Sequence, residues 1–293
     1  MILVVGSTGL LGLATVTQLH AKGHVVRAMI REGSKRADAV RALGVPTVLG
    51  DLNDRRSLER ACAGATCVVT TATNMGSTTR GDTMRGVDLE GQLALVEAAQ
   101  RAGVRRYVQI SASPNLTTRA PLVRYKREVE RAVRASGIPF TILQPSAFME
   151  LWLSPMMGWD LPAARGRISG RGEQALSWIS LEDVATFTVL AATDDRLADR
   201  TVPIGGPDAL TPLAVRAIAE RVAGRRFKVS HVPLGVLSFA RRLSGPFSDF
   251  IASATAMSLD MAKGDAQDMG PLLREFPVTL TTVEEHFRRS LQR

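Results

Sequence analysis

The sequence lacks the features that mark several classes of protein. Two cysteines among 293 residues are too few for a disulfide framework or a four-ligand zinc site. No apolar run reaches the roughly 18 residues that a membrane-spanning helix needs. Met1 leads directly into the apolar run of residues 2–5, without the basic segment that begins a secretory leader. These absences predict a cytoplasmic protein with reduced cysteines, no membrane anchor and no bound metal.

Lysine is also scarce, and arginine carries most of the positive charge. Lysines and arginines number 37 against 28 acids, a net charge of +9. The arginines are scattered along the chain and interleaved with acids, which favours a solvated surface over a nucleic-acid partner. The hydrophobic content of 45% suits a large core, because a chain of about 300 residues buries roughly three quarters of its unfolded surface.

Short apolar runs alternate with helical patterns through the first half of the chain. The alternation predicts an α/β fold with a doubly wound parallel sheet, in which helices join successive strands. Residues 1–150 are assigned to this domain and residues 151–293 to a smaller C-terminal substrate lobe, discontinuous because a strand near residues 201–204 returns to the sheet. The predicted strands are Ile2–Val5, Val25–Met29, Thr47–Leu49, Cys67–Thr71, Tyr107–Ile110 and Phe140–Leu143, and the predicted helices are Leu11–Lys22, Arg36–Leu43, Arg56–Ala63, Glu90–Ala102 and Val123–Ser136.

A glycine-rich turn follows the first predicted strand and opens the first helix. Glycines allow a tight turn and a close backbone approach, while the helix N-terminus offers unpaired N–H groups and a partial positive charge to a pyrophosphate. The required strand and helix lie on either side, so the turn predicts a dinucleotide site in a Rossmann sheet, against the alternative of a purely structural turn. The turn consists of Gly6, Ser7, Thr8, Gly9, Leu10, Leu11 and Gly12.

The end of the second strand indicates which dinucleotide is bound. NAD-selective sites place an acid there to accept hydrogen bonds from the ribose 2′-hydroxyl, whereas here Ile30 is followed by Arg31. An arginine pairs with phosphate through its planar fork, and Lys35 adds a second cation. The expected cofactor is therefore NADP(H), and the alternative is a surface arginine without a ligand.

One lysine lies on the apolar face of the predicted helix 123–136. Helical periodicity places Lys126 in the same arc as the valines of this helix. A lysine facing the sheet is costly to bury without a partner, and Glu130, one turn later, can pair with it. The position predicts a functional lysine, with a structural ion pair to Glu130 as the alternative. The arginines of the helix are predicted to form a solvated face: Arg124, Arg127, Arg131 and Arg134.

Taken together, these motifs resemble those of the extended and atypical short-chain dehydrogenases/reductases over nearly the whole chain. The Gly-x-x-Gly-x-x-Gly spacing of the turn is typical of that group. Residues 136–149, with Lys126 and Glu130 upstream, resemble the NmrA-like atypical branch. Further matching stretches are Asp51-Leu52, Val87-Asp88-Leu89-Glu90-Gly91 and Ile110-Ser111-Ala112-Ser113.

The resemblance implies roles for further residues. Asp51 and Leu52 match the family's adenine-contacting pair. Ser113 matches the family's active-site serine in register but follows Ala112, and Ser111 is a second candidate for that serine. The remaining cofactor contacts implied by the resemblance are Thr71, Ala72, Thr73, Ser111, Lys126, Pro145, Ser146 and Phe148.

The chain also departs from the family pattern at the catalytic helix. The family's Tyr-x-x-x-Lys pair keeps its lysine at Lys126, but Leu122 replaces the tyrosine. Tyr125, next to Lys126, is the remaining tyrosine candidate, and its register is poor. Gln144-Pro145-Ser146 replaces the Arg-Pro-Gly usual in the branch. The predicted catalytic residues are accordingly Lys126, Ser113 and Tyr125.

The missing tyrosine limits the chemistry. Reduction of an unactivated ketone relies on a positioned proton donor, which contributes about 10²–10⁴-fold. We therefore expect an NADPH-dependent oxidoreductase that passes hydride to an electron-poor, aromatic acceptor such as a quinone, azo compound or conjugated enone. The stretch of residues 148–159, rich in methionine and tryptophan, is predicted either to line an apolar substrate pocket or to be ordinary core.

A second function is left open by the same gap. A protein of the NmrA type that senses NADP(H) without catalysis needs no proton donor, and it would act through a protein partner. An epimerase or dehydratase acting on nucleotide sugars is disfavoured by the absence of the tyrosine. Whether the chain forms a homodimer is left open.

Overall fold

The computed structural model describes residues 1–34, 36–75, 81–117, 119–244 and 248–292. The strands are β1 (Ile2–Val5), β2 (Val26–Ile30), β3 (Thr47–Leu49), β4 (Cys67–Thr70), β5 (Arg106–Ile110), β6 (Phe140–Pro145), β7 (Arg165–Ser169), β8 (Leu176–Ser177), β9 (Arg200–Ile204), β10 (Ala209–Leu210) and β11 (Lys228–Val232). The helices are α1 (Leu10–Ala21), α2 (Ala37–Arg41), α3 (Arg55–Cys62), α4 (Gln92–Arg101), α5 (Pro121–Ala135), α6 (Met149–Trp152), α7 (Leu181–Thr193), α8 (Pro212–Ala223), α9 (Leu234–Ser244), α10 (Asp249–Met261), α11 (Gly270–Glu275) and α12 (Val283–Leu291).

A seven-stranded sheet organises the fold, with strand order β3-β2-β1-β4-β5-β6-β9. Strand β1 pairs in parallel with β2 on one side and with β4 on the other, so that Ile2 lies opposite both Val26 and Cys67. Every residue of β1 and β4 is buried, as expected for inner strands of a sheet covered on both faces. The predicted doubly wound α/β fold is confirmed.

The chain divides into two compact units. The first consists of Met1–Ser111, Leu122–Leu143 and Val184–Val202, and the second of Ala112–Pro121, Gln144–Asp183 and Pro203–Arg293. Each unit is therefore assembled from three separate stretches of sequence.

The first unit contains the glycine turn and most of the large sheet. Between β4 and α4, residues Gly86–Gly91 form a turn of π-helix that runs directly into α4. The predicted helix 90–102 thus begins earlier than expected, in a wider helical form. Both cysteines are free and buried, and burial raises the pKa of the Cys62 thiol to about 11 and that of Cys67 to about 12.

The second unit contains two small sheets and several helices. Strand β10 pairs antiparallel with β8, and β11 pairs in parallel with β7. The stretch rich in methionine and tryptophan forms the short α6 and a 3-10 turn, Pro155–Met157. Its side chains have different environments, since Met149 and Trp159 are buried whereas Met156 is exposed.

The described ranges of the chain contain neither a candidate membrane span nor a candidate metal cluster. None of the helices in these ranges is long and apolar enough to cross a membrane. Within the same ranges, no group of three or more histidine, cysteine and acidic side chains is arranged to hold a metal ion.

Candidate functional site

The glycine turn is shaped by close backbone contacts at the end of β1. Gly6 has a φ of +84°, a left-handed conformation that favours glycine. A Cβ on Gly6 would lie 2.7 Å from the backbone nitrogen of Ala72, and a Cβ on Gly12 would overlap the carbonyl group of Gly6. The fold itself therefore requires glycine at positions 6 and 12.

Gly9 is under a weaker constraint. It is exposed, its φ is −72°, and a Cβ there would meet only the Gly6 carbonyl oxygen, at 3.2 Å. Gly9 is also the N-cap of α1, and among the described residues no side chain caps this helix. The exposed surface at the start of α1 is thus left open to a ligand.

The loop after β4, residues 71–74, contacts this turn. The Thr71 hydroxyl donates to the carbonyl oxygens of Val5, at 3.2 Å, and Gly6, at 3.3 Å. The chain runs outward from β1 to β2 and β3 and then resumes on the other side with β4, so the turn and the loop meet where the strand order reverses. In doubly wound sheets, ligands bind in the crevice at this reversal. The predicted cofactor residues Gly6, Thr71 and Ala72 are brought together there.

The other residues of the turn and loop differ in accessibility. The Ser7 hydroxyl is fully buried and donates to the Met29 carbonyl oxygen at 2.6 Å, which ties the turn to β2. Thr73 is exposed, and its hydroxyl accepts from the Met75 amide. The remaining predicted residues of the turn range from half-buried to exposed: Thr8, Leu10 and Leu11.

Arg31 directly follows β2 and lies between two carboxylates. Its guanidinium is 2.5 Å from the Asp82 carboxylate and 3.9 Å from that of Asp51, and its side chain is 37% exposed. Leu52 is buried against Gly91. Lys35 lies outside the described residues. Sequence reasoning missed Asp82, because 51 residues separate it from Arg31 and no local pattern marks it.

Lys126 is buried on α5, as its helical position predicted, but its predicted partner was wrong. Its ammonium lies 3.5 Å from Asp88 Oδ1, and the two side chains are 8% and 0% exposed. Glu130 instead accepts hydrogen bonds from Ser111, at 2.5 Å, and from two arginines of its own helix, Arg127 and Arg134. The closer guanidinium and hydroxyl donors occupy the Glu130 carboxylate, which leaves Lys126 to the acid on the π-helical turn.

The arginine face of α5 is exposed as predicted at Arg124, Arg131 and Arg134, and Arg127 is the exception. The Arg127 side chain is 19% exposed and forms an ion pair with Glu130. Tyr125 is buried, and the Arg124 guanidinium lies 5.2 Å from the centre of its ring. Leu122, at the position of the family tyrosine, is also buried.

In the second unit, Ser113 and Ser146 belong to a buried network around Asp265. Asp265 Oδ1 accepts from the Ser113 hydroxyl at 2.5 Å, and Oδ2 accepts from the Ser146 hydroxyl at 2.8 Å. The side-chain amides of Asn115 and Gln267 also donate to Oδ1. The Ser113 hydroxyl in turn accepts from the Asn115 backbone amide and the Gln267 side chain.

This network bears on the predicted catalytic role of Ser113. A serine hydroxyl has one proton and two lone pairs, and all three are used within the network. The residue is also fully buried. The catalytic role of Ser113 stays a prediction, but its bonding supports a structural role. Of the other residues expected near a cofactor in this unit, Pro145 is buried at the end of β6, and Phe148 is half-buried at the start of α6.

The sheet order and the glycine turn define a Rossmann-type protein. The NmrA-like family matches residues 1–286, and the chain belongs to that family. The resemblance seen in the sequence is therefore confirmed.

Three similar proteins illustrate the range of the relatives. The photosystem II assembly factor Ycf39 of Synechocystis is 28% identical, with 98% of this chain and 89% of that protein covered. An NAD(P)H azoreductase of Xenophilus azovorans is 31% identical, with 77% of this chain and 74% of that protein covered. The NADPH-dependent quinone oxidoreductase of Escherichia coli, solved with NADPH, has a TM-score of 0.79 at 20% identity, with 99% of this chain and 100% of that chain covered.

Proposed function

We propose that this protein is an NADPH-dependent oxidoreductase that passes hydride to an electron-poor, aromatic acceptor of the quinone, azo or conjugated enone type. The observation that carries the proposal is the meeting of the glycine turn with the loop after β4, at the reversal of strand order. The names of the azoreductase relative and of the quinone oxidoreductase neighbour support both the cofactor and the class of acceptor.

The residues of the first unit fit a dinucleotide. The N–H groups of the first turn of α1 would bind the pyrophosphate, since the helix begins without a side-chain cap and without an acid in its first turn. Gly9 would allow the ligand to approach the backbone. When bound, NADPH supplies the hydride, and Lys126 would hold the nicotinamide ribose.

The preference for NADPH over NADH is assigned to Arg31. A guanidinium pairs with a 2′-phosphate in a planar, bidentate manner. The phosphate would compete with Asp82 for Arg31, so Asp82 weakens the preference. Removing the carboxylate at position 82 removes the nearer of the two acids beside Arg31, whereas removing the arginine eliminates the contact with the phosphate.

A binding experiment tests this assignment. We expect wild type to bind NADPH more tightly than NADH. Arg31→Ala should lose affinity for NADPH by about 10- to 100-fold, because it loses a charge-assisted hydrogen bond. Asp82→Asn should bind NADPH more tightly than wild type. Binding is measured by quenching of protein fluorescence, with NADH as the control ligand in each variant. Equal affinities of the wild type for the two cofactors would refute the assignment.

The class of acceptor follows from the side chains around Lys126. Position 122 holds a buried leucine and supplies no proton. Quinones, azo bonds and conjugated enones accept hydride more readily than ketones, so they tolerate the absence of a strong positioned acid. NADPH oxidation is measured with a panel of these acceptors, with Lys126→Ala as the background. Oxidation no faster than that background throughout the panel would eliminate the enzymatic proposal.

A second function, NADP(H) sensing without catalysis, is favoured by Leu122 and by the relatives named as assembly factors. It predicts that NADPH binds without turnover and changes the affinity for a protein partner. The cytoplasmic location and the choice between homodimer and protein partner stay predictions.

A further inference from the structure

Two buried polar side chains on the inner face of the π-helical turn and α4 hold the loop after β4. Asp88 Oδ2 accepts from the Asn74 backbone amide at 2.8 Å. Gln92, four residues later, donates to the Ala72 carbonyl oxygen at 3.2 Å and accepts from the Thr70 hydroxyl at 3.0 Å. Both Asp88 and Gln92 are 0% exposed. The loop that meets the glycine turn is therefore held by two fully buried side chains.

Asp88 has a second contact that Gln92 lacks. Its other oxygen, Oδ1, has no hydrogen-bond partner among the described residues and faces the Lys126 ammonium at 3.5 Å. One carboxylate thus binds the β4 loop through one oxygen and Lys126 through the other. Buried ions are retained only where an opposite charge or hydrogen bonds compensate the loss of water. Asp88 is the acid that compensates Lys126.

Asp88 lies on the π-helical turn of residues Gly86–Gly91. The i to i+5 hydrogen bonds of this turn widen the helix locally, a distortion that recurs at functional sites. Gly91 ends the turn in close contact with Leu52, where a Cβ would lie 2.6 Å from the Leu52 Cβ. The turn is therefore packed tightly against the segment that follows β3.

We propose that Asp88 is a positioning residue that couples the loop of residues 71–74 to Lys126. It orients the lysine through its charge and the loop through a hydrogen bond. The proposal rests on the function proposed above, because it assigns the orientation of Lys126 in the same site. Asp88 itself touches neither cofactor nor substrate in this assignment.

Two substitutions at position 88 separate the two contacts. Asp88→Asn keeps an oxygen that can accept from the Asn74 amide but loses the charge opposite Lys126. We expect turnover to fall about 10- to 100-fold, the effect of a misplaced catalytic group, while the dissociation constant for NADPH changes little. Asp88→Ala loses both contacts, so the affinity for NADPH should fall as well.

Hydrogen exchange in the cofactor-free protein gives a readout that does not depend on activity. The Asn74 amide is expected to exchange at the wild-type rate in Asp88→Asn and faster in Asp88→Ala. Glu97→Gln is the matched control, because Glu97 is a partly exposed acid on α4 whose partners are arginines. It should change neither exchange nor turnover.

Stability of the cofactor-free protein tests the pairing with Lys126. Lys126→Met and Asp88→Asn each leave one buried charge without its partner, and the double variant leaves none. The denaturation midpoint of the double variant should therefore shift by less than the sum of the two single shifts. The turnover of the double variant should stay as low as that of Lys126→Met. The double variant would then recover stability without recovering activity.

The outcomes distinguish the two proposals. If wild type neither binds nor oxidises NADPH, the proposed function fails, whereas exchange and denaturation still report on the coupling by Asp88. If wild type turns over and Asp88→Asn keeps full turnover, the positioning role is overturned. Additive midpoint shifts, or unchanged exchange of Asn74 in Asp88→Ala, would overturn it as well.

Discussion

Two buried carboxylates, Asp88 in the first unit and Asp265 in the second, are satisfied in different ways. Asp88 faces a cation, Lys126, and accepts one backbone hydrogen bond. Asp265 accepts from two hydroxyls and two side-chain amides, all of them neutral. Both are almost completely shielded from solvent. The difference lies in the partners rather than in burial.

The partners indicate what each carboxylate can do. Asp265 has its oxygens filled by donors from three stretches of chain, so it holds those stretches together and has little capacity left for a ligand. Asp88 has one oxygen with an ion-pair contact and no hydrogen bond among the described residues. A saturated buried acid is suited to a structural role, whereas an acid paired with a buried lysine can orient that lysine.

The largest effect is expected from Asp265→Ala. The substitution leaves several buried donors without an acceptor, and each unsatisfied group costs about 1–3 kcal/mol. We expect a loss of about 3 kcal/mol or more in the free energy of unfolding, measured by urea denaturation. Asp208→Ala, at an exposed acid of the same unit, is the control. If Asp265→Ala loses no more free energy of unfolding than Asp208→Ala, Asp265 does not have the structural role described above.

A smaller effect is expected when a single donor to Asp265 is removed. Ser113→Ala should lower the free energy of unfolding by about 1–3 kcal/mol, because the hydroxyl donates one hydrogen bond and accepts two. Ser146→Ala removes the same kind of bond and is the matched variant for stability. The folded Ser113→Ala protein should retain turnover, because in wild type the Ser113 hydroxyl already donates its proton in a hydrogen bond to Asp265. Loss of turnover at unchanged stability would instead favour the catalytic role predicted from the sequence.

The smallest expected effect is a change in the pH dependence of stability. It concerns Glu150, another acid of the second unit. Burial raises the pKa of the Glu150 carboxyl above its ordinary value of 4.5, although the Leu181 amide donates to it. The folded state therefore holds its proton more tightly than the unfolded state. This contribution to stability is complete below pH 4.5 and is lost as the pH rises through the higher folded pKa.

Glu150→Gln removes this titration and keeps an acceptor for the Leu181 amide. The stability of the variant relative to wild type should increase as the pH rises above 4.5. Urea denaturation from acid to neutral pH measures the difference. His286 lies 3.8 Å from the Glu150 carboxylate, so the comparison is repeated in a His286→Gln background. A difference that stays constant, or declines, with rising pH would contradict the assignment.

Local patterns predicted the strands and the glycine turn well, but not the side-chain partners. Strands β1 and β3 have the predicted bounds, because short apolar runs between turns have few alternatives. The burial of Lys126 also followed from helical periodicity. Its partner did not, since Asp88 is 38 positions away and the nearer acid, Glu130, is occupied by arginines and Ser111.

The Asp265 network had no local signature. The hydrogen bond from Ser113 spans 152 positions, and nothing near either residue marks the pairing. Arg31 is a similar case, because the motif predicted an arginine available to phosphate while the fold placed Asp82 beside it.

The sequence by itself determined the doubly wound sheet, the glycine turn, the family and the inward direction of Lys126. Each of these was recognised from short stretches of sequence, within which spacing decides the local geometry. Only the tertiary structure decided which acid meets Lys126, what competes for Arg31 and which donors surround Asp265. Those choices depend on the packing of distant segments, and buried polar groups must then bond to whatever donor or acceptor the packing brings within reach.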